Sequence, residues 1–308
     1  MLAIFQRADR KVAFGLALAM SFSGAARAEH LNPESDVVGI RTTMSIDEIK
    51  KSIQDQFGVT DLRVKAVKFG TSAYSRDIVL GFSSDIVSQS GKDANQARVD
   101  ELAKATEAEH AAGCTSPLCR SVASGLVKDS LDVYVDPTPG SSGVLALVRH
   151  TEYPKDSDIL LTVFLQALVD KFGEPSFADP NGFYYWADNG VNASSADWSG
   201  CTRIGDGVGN FPLQFSSLIN GFGKNVMNGF GKNAIKLPAC GMYAKVGLMR
   251  IVKPGDTKAN YVTGFTMTLV NVRKSYDALG RFASEFSNAA DKAAADKLSK
   301  DAQNKPKL

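Results

Sequence analysis

Histidine is scarce in this chain, with three in 308 residues, and cysteine is nearly so, with four. That shortage limits the chemistries built on imidazole and thiolate. His110-x3-Cys114-x4-Cys119 offers three zinc ligands, but a fourth ligand and the tight Cys-x-x-Cys spacing are missing. His150-Thr151-Glu152 has the His-x-Glu order of zinc deaminases without the Pro-Cys-x-x-Cys partner, so His150 reads as a surface or rim residue. No metal or other cofactor is expected. There is no Gly-x-Ser-x-Gly elbow, and "GFSSDI" at 81–86 lacks the second glycine. No catalytic residue stands out, so the expectation is a non-enzymatic protein. A hydrolase whose site assembles only in three dimensions is the third choice.

Long apolar runs are also missing. The longest stretch near the N-terminus, Val12–Phe22, falls short of the roughly 20 residues that span a bilayer, so stable membrane insertion is not expected. Preceded by Arg7, Arg10 and Lys11 and followed by Ala26-Arg27-Ala28, it has the three-part form of a cleaved secretory signal over residues 1–28. The mature chain would be periplasmic or secreted. Removing the signal takes away four basic residues (Arg7, Arg10, Lys11, Arg27) and one acid (Asp9), moving the formal charge from +2 to −1. Nothing in that balance suggests nucleic acid as a partner.

What is present is an ordinary globular composition with four cysteines, an even number that in an exported chain suggests disulfides. Three pairings are possible. Cys114–Cys119 and Cys201–Cys240 are favoured because each closes a local segment. The chain-entropy model gives roughly 2 kcal/mol for the short loop and about 4 kcal/mol for the long one.

Periodicity predicts an α+β fold, with amphipathic helices on antiparallel sheet. Ser45-Ile46-Asp47-Glu48 matches a capping box, and Ile46, Ile49, Ile53 and Phe57 form one face before Gly58. A second helix, near 158–172, carries Leu161, Phe164, Leu168 and Phe172 before Gly173. The two faces match with identical spacing 115 residues apart, which suggests tandem α-β units or a chance match of two amphipathic helices. Residues 29–155 would form the first unit, with a helical insertion at about 90–120. Residues 156–290 would form the second, with a disulfide-closed Gly-rich loop, and 291–308 an Ala/Lys-rich tail. Strands are expected near 62–69, 77–82, 131–135, 144–148, 183–186, 242–252 and 261–272.

"VVGIRTTMSIDEIKKSI", with Gly39 and Met44 ahead of the capped helix, resembles the opening of the small α/β repeat shared by the outer-membrane small protein A lipoproteins and the β-lactamase inhibitory protein. "LLTVFLQALVDKFGEPSF" is similar to a segment of exported proteobacterial proteins of uncharacterised role. The lipidated branch carries a Cys that this chain lacks. The resemblance implies helices on antiparallel sheet and a non-catalytic binding role.

Two stretches are candidates for that role. Tyr184, Trp186, Trp198 and Asp188 belong to a cluster of rings and acids over 179–198 that could grip a sugar. The alternative is a core strand with turn acids. "NGFGKN" occurs at 220–225 and again at 228–233. It fails Walker A at the first glycine and at the hydroxyl after lysine. It presents Phe222, Lys224, Phe230 and Lys232 as a partner or anionic-glycan surface, or it is a tolerated duplication in a loop. "GDGVGN" at 205–210 reads as a flexible loop. The leading expectation is an exported binding protein acting on an envelope protein; a carbohydrate or cell-wall binder is second. The sequence sets no oligomeric state.

Overall fold

The protein is described by a computed structural model over residues 31–70, 74–111, 126–154, 158–211, 213–222, 237–252 and 260–303. The signal segment, Cys114, Cys119, Lys224, Phe230 and Lys232 lie outside these residues.

The chain begins with a two-stranded hairpin, β1 (Asp36–Val37) and β2 (Ile40–Arg41). Its two central residues, Val38 and Gly39, take φ of 53° and 77°, the left-handed values a mirror-image two-residue turn requires. Helix α1 (Ile46–Phe57) comes next. The capping box forms as expected: Ser45 Oγ accepts from Glu48 N, and Glu48 accepts from Ser45 N at 2.7 Å. Gly58 ends the helix at φ 66°.

From there the elements run β3 (Arg63–Gly70), β4 (Ser75–Asp85), α2 (Gln89–Ala111), β5 (Lys128–Val135), β6 (Val144–Glu152), α3 (Leu161–Phe172), β7 (Phe177–Asp179) and β8 (Phe183–Ala187). Helices α4 (Trp198–Gly209) and α5 (Phe215–Phe222), strands β9 (Met242–Val252) and β10 (Asn260–Asn271), and helix α6 (Val272–Gln303) complete the chain. All strands after β2 join one antiparallel sheet in the order β3-β4-β5-β6-β10-β9-β8-β7. Each half of the chain therefore supplies a helix and four strands. The last strands of the halves, β6 and β10, meet at the centre, and the first strands, β3 and β7, form the outer edges. No helix of the described residues is long and apolar enough to cross a membrane.

Helices pack on both faces of the sheet. On one, α1 and α3 cover Leu131, Val133, Leu147, Met267 and Leu269 through Ile49, Ile53, Phe164 and Leu168. On the other, α4, α5 and α6 cover Leu80, Tyr134, Val148 and Tyr243. Phe69, near the end of β3, is locked there, with ring centroids 5.2, 6.1 and 4.7 Å from Phe215, Phe282 and Phe286. Each fully buried ring is worth roughly 1.5–3 kcal/mol over its exposed state.

The stretch expected to be a flexible loop, "GDGVGN", is mostly helix: Gly205–Gly209 form the last turns of α4. The glycines serve close approach. A Cβ on Gly205 would lie 2.3 Å from the Tyr243 ring, one on Gly207 2.7 Å from Leu218, and one on Gly209 2.6 Å from Thr268. The packing against β9, α5 and β10 overrides the low helix propensity of glycine. Cys201 of α4 is bonded to Cys240, ahead of β9, with Cα atoms 6.0 Å apart. The first copy of the repeated hexapeptide also departs from a loop, because Asn220-Gly221-Phe222 is the last turn of α5.

Candidate functional site

Antiparallel register places side chains of neighbouring strands in rows across a face. On the face carrying α4, one row runs Asp132–Val148–Thr268–Lys245–Tyr185 across β5, β6, β10, β9 and β8. The next row runs Ser130–His150–Thr266–Gly247–Phe183. Helix α4 ends above the first row, where Gly209 meets Thr268. Thr268 is 7 % exposed, whereas two residues along the strand Thr266 is half-buried, the His150 side chain is 47 % exposed and Phe183 is 39 % exposed. Among the described residues the second row is a strip of central sheet more open than the first.

Beside the strip's His150, Asp132 of the first row, itself buried, is held by Lys65 Nζ at 2.6 Å, with His150 Nε2 3.7 Å from the same oxygen. Burial alone would raise this carboxyl. His150 and Lys65 outweigh that and hold it below the usual carboxylate range. His150 Nδ1 lies 3.0 Å from Thr266 Oγ1. The beginning of a hydrolytic triad is visible in this order of acid, imidazole and hydroxyl. Two features argue against the chemistry. The acid is beyond hydrogen-bond distance of the imidazole. The Thr266 backbone is paired on both sides, with β6 and with β9, so its amides are committed to neighbouring strands and not aimed at an oxyanion.

At the Phe183 end of the strip is a ring-and-cation cluster. Tyr185 lies 5.6 Å from Phe177 and 6.0 Å from Trp198, and Phe177 lies 6.2 Å from Trp198. Lys245 Nζ sits 5.1 Å from the Phe183 centroid and 5.3 Å from that of Tyr185, with Asp206 of α4 at 2.9 Å. Phe183 lies against Gly247, where a Cβ would stand 2.8 Å from the ring. Phe177 and Phe183 are both more than a third exposed. Between α4 and α5 there is also a cavity of about 190 Å³ lined by Arg203, Asp206, Asn210 and Gln214, smaller than typical small-molecule pockets.

Strand alternation divides the residues expected to act together. Tyr184 and Trp186 face the α1/α3 side. Trp186 is 2 % exposed, lies 5.7 Å from the tilted ring of Phe172 and donates Nε1–H to Gly173 O at 2.9 Å, so it belongs to the core. Asp188 accepts from Gly241 N at 2.6 Å beside the disulfide, and burial pushes its carboxyl up. It clamps β8 to the start of β9. Trp198 alone of the four joins the exposed cluster. Phe222 is the last residue of α5. Lys65, Asp132, Thr266, Lys245 and Asp206 carried no signal of their own in the sequence, and only the alternation of β8, which pairs Phe183 with Tyr185, pointed towards them. Among the described residues no three His, Cys, Asp or Glu side chains gather as a metal site. Comparison of the chain with protein-family models, with curated proteins and with solved structures finds no match in any of the three.

Proposed function

We propose that the chain is an exported, non-catalytic binding protein of the cell envelope, and that the open strip seats a partner protein. The observation that carries this reading is the cluster of Phe177, Phe183, Tyr185 and Trp198 around Lys245 at the Phe183 end of the strip. Exposed rings interleaved with a cation, flanked by the polar His150–Thr266 pair, have the composition of an interface anchor with its rim. Export is supported by the three-part segment at residues 1–28 and by the Cys201–Cys240 disulfide. The implied kinship with a repeat that includes an enzyme inhibitor points the same way. A sugar is the weaker occupant. The Tyr185 ring already carries Lys245 and Phe177, and Trp186, the ring best suited to stacking, is in the core.

The test is a photo-reactive side chain placed at Phe183 in cells, with Gln166 on α3 as control, and identification of the adducts by mass spectrometry. The expected result is one protein adduct at position 183, absent at 166. Lys245→Ala should weaken the purified pair by about 2 kcal/mol, the size of an interface hot spot. Adducts to glycan alone, or a hydrolysis abolished by Thr266→Ala or His150→Ala with no protein adduct, would overturn the proposal.

A further inference from the structure

The two outer edges of the sheet differ. Strand β7 offers three residues, whereas β3 offers eight, a length of roughly 26 Å. Among the described residues β3 pairs with β4 and with no other strand. An edge of that length presents a row of unpaired backbone groups, a template for another strand.

The side chains of β3 restrict which strand. They alternate: Arg63 and Lys65 point to the face of the open strip, where they meet Asp85 at 2.8 Å and Asp132 at 2.6 Å. Val64 and Ala66 point to the other face. Val64 is 67 % exposed, and Val79, next to Ala66 in the ladder, is 53 % exposed. Lys68, farther along the Val64–Ala66 face, adds a third cation opposite Asp77 of β4, and the strand holds no acid. A second copy of β3 laid alongside would bring like charges together, which disfavours self-pairing. A strand with acids on one face and apolar side chains on the other meets both halves of the pattern.

We propose that β3 takes up, as a ninth strand, an extended segment of a partner protein in which acidic residues alternate with apolar ones. Main-chain hydrogen bonds along the edge would supply affinity. Arg63 and Lys65 would meet the acids, and Val64 and Ala66 the apolar side chains. This edge lies six strand spacings, roughly 30 Å, from β8, so the inference does not depend on the ring cluster.

The test uses the purified chain with its disulfide intact and residue-resolved amide exchange. The probes are three end-blocked octapeptides: alternating Val and Glu, alternating Val and Lys, and a fully N-methylated Val/Glu version. The Val/Glu peptide at millimolar concentration should slow exchange at alternate amides of β3 by at least tenfold. The other two should not, because one has the wrong charge and the other has no amide hydrogens. Arg63→Glu, at an exposed position, should abolish the Val/Glu effect and create one for Val/Lys. Phe183→Ala should leave β3 protection unchanged while weakening the strip's partner, so the two proposals fail separately. Equal protection by all three peptides, protection confined to other strands, no protection at all, or concentration-dependent dimerisation that protects β3 would each overturn the inference.

Discussion

Two glycines of one helix should respond to alanine with opposite signs. A glycine-to-alanine change inside a helix ordinarily gains about 1 kcal/mol, because it removes backbone freedom from the unfolded chain. At Gly200, in the first turn of α4, the new Cβ would meet Pro238 at 3.7 Å, an ordinary contact. Gly200→Ala should therefore stabilise the protein by about 0.5–1 kcal/mol. At Gly205 the new Cβ would lie 2.3 Å from Tyr243 Cδ1 and 2.6 Å from Cε1. The ring is fully buried, its backbone lies within the β8–β9–β10 ladders, and its hydroxyl donates to Asp206 at 2.9 Å. Held at both ends, it cannot swing aside, so α4 would have to move by about an ångström to restore van der Waals separation. Overpacking of this kind costs about 1–3 kcal/mol, and a pinned ring puts the cost at the upper end. After the helix gain is subtracted, Gly205→Ala should lose about 2 kcal/mol, or about 4–8 °C in Tm. Urea unfolding of the oxidised protein, with midpoints compared at constant m, reads both changes. A Gly205→Ala variant as stable as the parent would refute the close packing of α4 on Tyr243. Equal losses at both positions would refute the claim that the contact, and not glycine itself, sets the sign.

Asp132 makes a prediction about acid. Its folded-state carboxyl is held below the ordinary value near 3.9, so its charge stabilises the fold above that pH, and the contribution is lost as pH falls through the lowered value. The stability difference between the parent and Asp132→Asn should be greatest near neutrality and shrink as pH falls below about 4; a difference constant down to strong acid would count against the Lys65–Asp132–His150 arrangement. The duplicated hexapeptide makes another. Deleting Asn220–Met227 brings Asn228-Gly229-Phe230 into the places of Asn220-Gly221-Phe222, so the last turn of α5 keeps its sequence. Unfolding midpoints should then move by less than about 0.5 kcal/mol, the scale of a loop-length change, and a larger loss would mean that the second copy carries packing of its own.

Much of the fold was legible because local signals and tertiary packing agreed. The capping box at Ser45, the faces of α1 and α3, and the alternation along β9 and β10 each satisfy their own segment and the sheet together. Helix α4 was not legible, because glycine in sequence reads as a breaker, and its use here depends on Tyr243, Leu218 and Thr268 far along the chain. The strip was hidden for a related reason. His150 and Thr266 are 116 residues apart and meet only because β6 pairs with β10, a choice no local pattern encodes. The aromatic stretch was visible as composition, but its period of two sends Trp186 into the core and leaves Phe183 outside.

The order of elements adds a physical reason why binding surfaces fall where they do. Both halves of the chain run helix, two strands, helical segment, two strands, and they meet across β6 and β10. The halves diverge in the helical segment after their first strand pair. Beyond β8 the chain supplies α4 and α5, which the Cys201–Cys240 bond and the close-packed glycines fasten over the sheet. Beyond β4 it supplies α2, fixed near its start by Asn95, which both donates to Val127 O and accepts from Val127 N at the head of β5. Among the described residues the helices on the α4 face come from the second half, and α4 ends at Gly209, over Thr268. The outer edges differ as well: a three-residue strand at β7 and an eight-residue strand at β3. Among the described residues an open strip and an open edge are thus left where the two halves depart from each other, and Lys65 links them, since it belongs to the edge and reaches Asp132, which lies beside His150 of the strip.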